Sequence, residues 1–186
     1  MFCNAAGRGA PFEVALVGVD GPAEIQAQNG LRMRVSEGLG RPDAVLVPGG
    51  GWGNRAERGA WAQARRGVLP ERLVALSGSL RWVASVCSGA TLLAEAGLLR
   101  GRTATTNRGL LAELAASGVT VVTNRVVDEG TVVTAGGLTA GLDLGLWLVA
   151  REAGVELAQQ VATGLEYEPR GEVWRHGATE PVLPPT

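Results

Sequence analysis

The sequence has no lysine, one histidine and two cysteines, and each scarcity removes a class of function. All 17 basic residues are arginines, scattered against 18 acidic ones for a formal charge of −1, and no basic stripe of the kind that tracks nucleic acid is present. Without lysine, no phosphate loop ending in Lys-Ser/Thr can be written, and no G-x-G-x-x-G stands in its place, so no nucleotide and no other cofactor is expected. His176 alone excludes a histidine-rich metal centre. Cys3 and Cys87 are too few and too far apart for a disulfide framework or a metal knuckle. No apolar run approaches the roughly 18 residues of a membrane span, and "MFCNAAGRGAPFEVALVG" lacks the basic flank, apolar core and cleavage site of a secretory signal. The expectation is a soluble cytoplasmic protein with a small-molecule substrate or ligand and no membrane partner.

What is abundant is glycine, 28 of 186 residues, within a composition that is 46% hydrophobic. That suits one domain with a sizeable core and many tight turns. The domain is expected over residues 1–167, with a proline-rich extended tail over 168–186. Valine-rich runs alternate with helical patterns, the signature of an α/β fold with a mostly parallel sheet covered on both faces. Strands are expected at Phe12–Val17, Ala44–Pro48, Leu80–Val86 and Val119–Thr123. "RVVDEGTVVTA" reads as a hairpin of Arg125–Asp128 and Thr131–Ala135. Helices are expected at Ala56–Arg66, Pro70–Ser77, Ser88–Leu98, Gly109–Ser117, Thr139–Ala153 and Glu156–Leu165.

The stretch "WVASVCSGATLLAEAGLL" places Cys87 where a strand pattern stops and a helical one starts. Catalytic groups gather at the carboxyl ends of strands in open α/β sheets. Ser85-x-Cys87-x-Gly89 also sets small residues on both sides of the cysteine, as a sharp nucleophile elbow requires. A thiol at a helix start faces unpaired backbone N–H groups, which favour the thiolate. The backbone N–H of Ser88 is a candidate oxyanion donor. The local pattern equally suits a small buried cysteine. The run "AVLVPGGGWG" tips the balance toward chemistry, because Gly50 and Gly51 let the backbone approach a substrate and offer a second donor.

Taken in order, "VLVPGGG", "ASVCSGATLLAEAGLLRGRTATTN" and "VVTAGGLTAGLDLGLWL" resemble the ThiJ/PfpI family, and within it the subgroup similar to isonitrile hydratase and to the effector domains of AraC-type regulators. The resemblance implies a flavodoxin-like three-layer α/β/α sandwich, shared with class I glutamine amidotransferases, and a homodimer. It sets Cys87 on the nucleophile, Ser88 where relatives carry threonine, Gly50 and Gly51 in the oxyanion loop, and Asn107 where the subgroup commonly has histidine. The family's proteases carry histidine after the cysteine, so Ser88 argues against proteolysis. The implied activity is hydratase or hydrolase chemistry on a small electrophile, with a ligand-sensing domain as the alternative and an aldehyde-scavenging or redox role behind it. Relatives begin with a central strand and an acid-bearing turn before the first helix, whereas Met1–Ala6 reads as the middle of that helix. The expectation is therefore a sheet short of an interior strand, with backbone groups in need of other partners. Glu13, Asp20 and Asp143 have no sequence context that makes them substitute acids, and a Cys-His pair would require the tail to fold back.

Overall fold

The computed structural model describes residues 1–27 and 30–177. The elements run α1 (Phe2–Ala6), β1 (Ala23–Gln26), β2 (Arg32–Val35), β3 (Ala44–Val47), α2 (Ala60–Arg66), α3 (Val68–Ser77), β4 (Trp82–Val86), α4 (Gly89–Glu95) and β5 (Thr103–Ala104). After a short 3-10 turn at Arg108–Leu110 come α5 (Leu111–Ala116), β6 (Thr120–Val121), β7 (Val126–Asp128), β8 (Val132–Ala135), α6 (Ala140–Ala153), α7 (Val155–Gly164) and β9 (Val173–Arg175). The central sheet has the order β3-β4-β8-β7-β9. All its pairs are parallel except the β7–β8 hairpin, where Val126 opposes Ala135.

Period-two alternation along β4 builds the layers. Val83 joins Val45, Val47, Leu73, Leu92 and Leu114 on the face covered by α3, α4 and α5. Trp82 and Ala84 point the other way, into a cluster with Val133, Leu144 and Leu148 of β8 and α6. A third cluster joins α1, α6 and α7 through Ala5, Leu146, Val149 and Val161. The α/β/α sandwich expected from the alternating pattern is the one observed. No helix among the described residues is long and apolar enough to cross a membrane.

Four expectations need correction. Residues 12–17 do not form a strand, and Val14 and Leu16 are exposed. A strand exists through its ladder, and these residues have none. The outer edge of β3 is open, since among the described residues β3 pairs only with β4. The segment Val119–Thr123 contracts to β6, which pairs with β5 in a separate two-stranded sheet. Helix α2 starts at Ala60 rather than Ala56, because the Ala56 N–H is held in the preceding loop by the Gly51 carbonyl at 2.9 Å. The stretch from Glu168, expected as an arm, supplies β9, which extends the sheet beside β7. Its remainder, 178–186, lies outside the described residues. The β1–β2 hairpin was not anticipated, although the dipeptide Asn29-Gly30 between its arms is a strong hairpin signal.

Candidate active site

Cys87 sits between the last residue of β4 and the start of α4, with φ at +56°, a left-handed conformation that a non-glycine residue adopts only under constraint. Its N–H is shared between the carbonyls of Ala135 and Gly136, both at 3.0 Å. Its carbonyl accepts from the Thr106 hydroxyl at 2.8 Å and from the Ala90 N–H at 3.3 Å. The backbone is thus clamped from β8, from the loop after β5 and from α4 itself. The clamp leaves the thiol half-buried at the carboxyl end of the sheet, whereas Cys3 is exposed.

Two glycines make the corner geometrically feasible. A Cβ on Gly49 would lie 2.7 Å from the Ser88 nitrogen and 2.8 Å from the Cys87 Cβ, so the loop after β3 packs its bare backbone onto the corner. A Cβ on Gly89 would collide with the Val47 carbonyl oxygen, so α4 starts in direct contact with β3. The N–H of Gly50 donates to the Ser88 hydroxyl at 2.8 Å, which ties the two loops together. That N–H therefore faces Ser88 in this conformation. The N–H groups of Gly51 and Ser88 have no hydrogen-bond acceptor among the described residues.

The sulfur has one side-chain partner. Asn107 Nδ2 donates to Cys87 Sγ at 3.4 Å, while its Oδ1 accepts from the Gly109 N–H at 3.0 Å and caps the 3-10 turn. That second bond fixes which end of the amide faces the thiol. The contact spans 20 residues of sequence, and spacing alone gave no sign of it.

Carboxylates and imidazole are placed elsewhere. Asp20 pairs at the surface with Arg66 and Arg72, and Glu13 is exposed. Asp143 is buried, with Oδ2 held by Arg125 Nε and Nη2, and Oδ1 by the Tyr167 hydroxyl and the Arg170 N–H. Burial, with the neighbouring Asp143 carboxylate second, pushes the Tyr167 hydroxyl above its ordinary value near 10. The tail does fold back, but to the wrong end for a Cys-His pair. The register Val86–Ala135–Val126–Val173 places His176 three residues further along and three strands across. Because β9 runs antiparallel to β4 and Cys87 lies one residue beyond Val86, the separation is roughly 13 Å along the strands and about 14 Å across them. There His176 Nδ1 lies 3.2 Å from Glu129.

Comparison with known proteins bears on the family and the fold. The model of the DJ-1/PfpI family matches residues 4–151. An isonitrile hydratase from Pseudomonas putida is 45% identical over 89 residues, which are 48% of this chain and 39% of that protein. The chain thus aligns with well under half of that relative's length. The protein dj-1beta of Drosophila melanogaster is 23% identical over 163 residues, 85% of this chain and 84% of that one. Among solved structures, a ThiJ/PfpI family protein from Pseudomonas syringae superposes with a TM-score of 0.78 at 27% identity, over 90% of this chain and 68% of that one. Drosophila DJ-1beta gives a TM-score of 0.75 at 23% identity, over 90% of each chain, a likeness of fold.

Proposed function

The chain belongs to the DJ-1/PfpI family, and from that premise we propose that it is a cysteine-dependent hydratase of small electrophiles, with isonitriles as the substrate class. The observation that carries the reading is the left-handed Cys87 corner, whose sulfur receives a hydrogen bond from an Asn107 amide locked in orientation by Gly109. A backbone held at a costly angle by four separate hydrogen bonds is what a presented nucleophile requires and an inert packing residue does not.

In this reading Cys87 Sγ attacks the terminal carbon of the isonitrile. A C–S bond forms, the carbon takes a proton from water, and a thioimidate results. The hydroxide so produced adds to the same carbon, and its remaining proton passes to nitrogen. Collapse then breaks the C–S bond, releasing an N-substituted formamide and returning the thiolate, with one water consumed overall. The unengaged N–H groups of Ser88 and Gly51 are the donors for the charge that develops during addition. Ser88 Oγ, engaged by Gly50, holds the glycine loop against the corner.

A second reading, a ligand-sensing domain with little turnover, is favoured by one specific fact: among the described residues no carboxylate or imidazole is bonded to the thiol. The test is formamide production from a simple alkyl isonitrile by the wild-type chain and by Cys87→Ala. Hydration that falls to the uncatalysed rate in Cys87→Ala supports the first reading. Hydration that survives the substitution overturns it, and an inactive wild type that binds isonitrile selects the second.

A further inference from the structure

A cavity of about 210 Å³ lies beside the Cys87 corner, lined by Gly136 and Thr106, which both hydrogen-bond the Cys87 backbone. Thr106 and Arg108, the two neighbours of Asn107, both line it, as does Gly137, where an added Cβ would stand 3.2 Å from the Asn107 Cβ. The far wall is Thr123, Asn124 and Arg125. Two of its lining residues are arginines and none is acidic. Its volume is below the range of roughly 300–1,000 Å³ typical of sites that enclose a whole drug-sized ligand, so it suits one substituent of a molecule that continues elsewhere.

The two arginines differ in what holds them. Arg125 is fixed: Nε and Nη2 bind Asp143 Oδ2 at 2.7 and 2.5 Å, Nη2 also donates to Thr139 at 3.1 Å, and Nη1 has no partner among the described residues. Asp143 itself is satisfied by four hydrogen bonds, so it orients the guanidinium without projecting an open carboxylate into the cavity. Arg108 is exposed and has no ion pair among the described residues. Counting Arg125 against Asp143, the charge of Arg108 remains uncompensated at the rim. The one unengaged nitrogen of a fixed Arg125, with a free Arg108 guanidinium and threonine and asparagine side chains around it, is a chemistry for carboxylates.

We propose that this cavity is a carboxylate subsite next to Cys87, so that the electrophile attacked by the thiol carries an anionic group, seated by Arg125 and Arg108. The proposal rests on Cys87 being the nucleophile, and the experiment separates the two. Iodoacetate and iodoacetamide are near-isosteric and differ in charge. With either, a C–S bond forms at the methylene carbon, iodide leaves with the bonding pair, and the thiol proton goes to solvent. Labelling of Cys87 is followed by peptide mass spectrometry in a Cys3→Ser background, with glutathione as the reference thiol under the same buffer.

The ratio of iodoacetate to iodoacetamide rate constants at Cys87 is expected to exceed that of glutathione by about tenfold at low salt, the size of effect a focused charge gives. It should fall as salt screens the arginines, and in Arg108→Glu it should drop at least to the glutathione value. If iodoacetamide reacts no faster with Cys87 than with glutathione, the nucleophile reading fails and the subsite with it. If iodoacetamide reacts fast but the ratio matches glutathione, or if Arg108→Glu leaves a raised ratio intact, the subsite alone is overturned.

Discussion

The two ends of the central sheet use polar groups in opposite ways. At the end that carries Asp128, charge is closed on itself. The Asp128 carboxylate accepts from Trp147 Nε1 and the Gly130 N–H at 2.7 Å each and from Arg151 at 3.1 and 3.2 Å, while Arg151 also meets Glu152, which pairs with Arg81. At the Cys87 end the backbone is clamped just as firmly, but the thiol receives a single neutral donor, and two backbone N–H groups have no acceptor among the described residues. One end fastens β7, β8 and α6 together; the other holds donors ready for something absent from the fold itself. The difference teaches that rigidity and saturation are separable, and that a candidate site is recognised where the first is present without the second.

The sharpest way to break the comparison is at the closed end. Asp128→Ala leaves the Trp147 N–H without its partner and strips Arg151 of one of its two carboxylates, and removing one member of a buried ion pair is expected to lower unfolding free energy by about 3 kcal/mol, read from the shift in urea midpoint. Iodoacetamide labelling of Cys87 in the molecules that remain folded should be unaltered. A chain that keeps its stability while labelling collapses would show that the ends have been assigned the wrong way round.

A smaller effect is expected at the open end. Asn107→Ala removes the donor on sulfur and should slow Cys87 labelling and isonitrile hydration by about tenfold, the scale of a hydrogen bond to a charged acceptor, with a change of less than about 1 kcal/mol in stability. Equal loss from stability and rate would make Asn107 a packing residue. The smallest effect concerns Tyr167. Because its folded value is raised above the ordinary 10, the folded state holds the phenolic proton more tightly than the unfolded one. Its contribution is whole below about pH 10 and is lost as pH climbs from there through the raised folded value. Tyr167→Phe should flatten that alkaline limb of a stability-against-pH curve, and an unchanged limb would remove Tyr167 from the account.

The same contrast explains what the sequence made legible. The corner was readable because its causes are local: alternation in Trp82–Val86, glycines at 49 and 89, and helix formers after Cys87 all lie within a few residues of the feature they shape. The hairpin of β7 and β8 was readable for the same reason, with its Asp-Glu-Gly turn closed by Asp128 on the Gly130 N–H. Residues 12–17 carry strand composition yet lack a ladder, because pairing is a property of neighbours and not of the segment. The destination of His176 and the Asn107–Cys87 contact were hidden for a related reason. Both are fixed by strand order and loop path, which place distant residues together or apart without leaving a motif.

The bare backbone at Gly49 and Gly89 also decides where this corner can be retuned. Any side chain at 49 would strike Cys87 and Ser88, and any at 89 would strike the Val47 carbonyl, so neither position can be mutated to reshape substrate choice. Variation is confined to the opposite wall, Arg108, Thr123 and Asn124, which line the cavity. A library aimed at new electrophiles therefore has three adjustable positions on one side and a fixed surface on the other, with the thiol as the hinge between them.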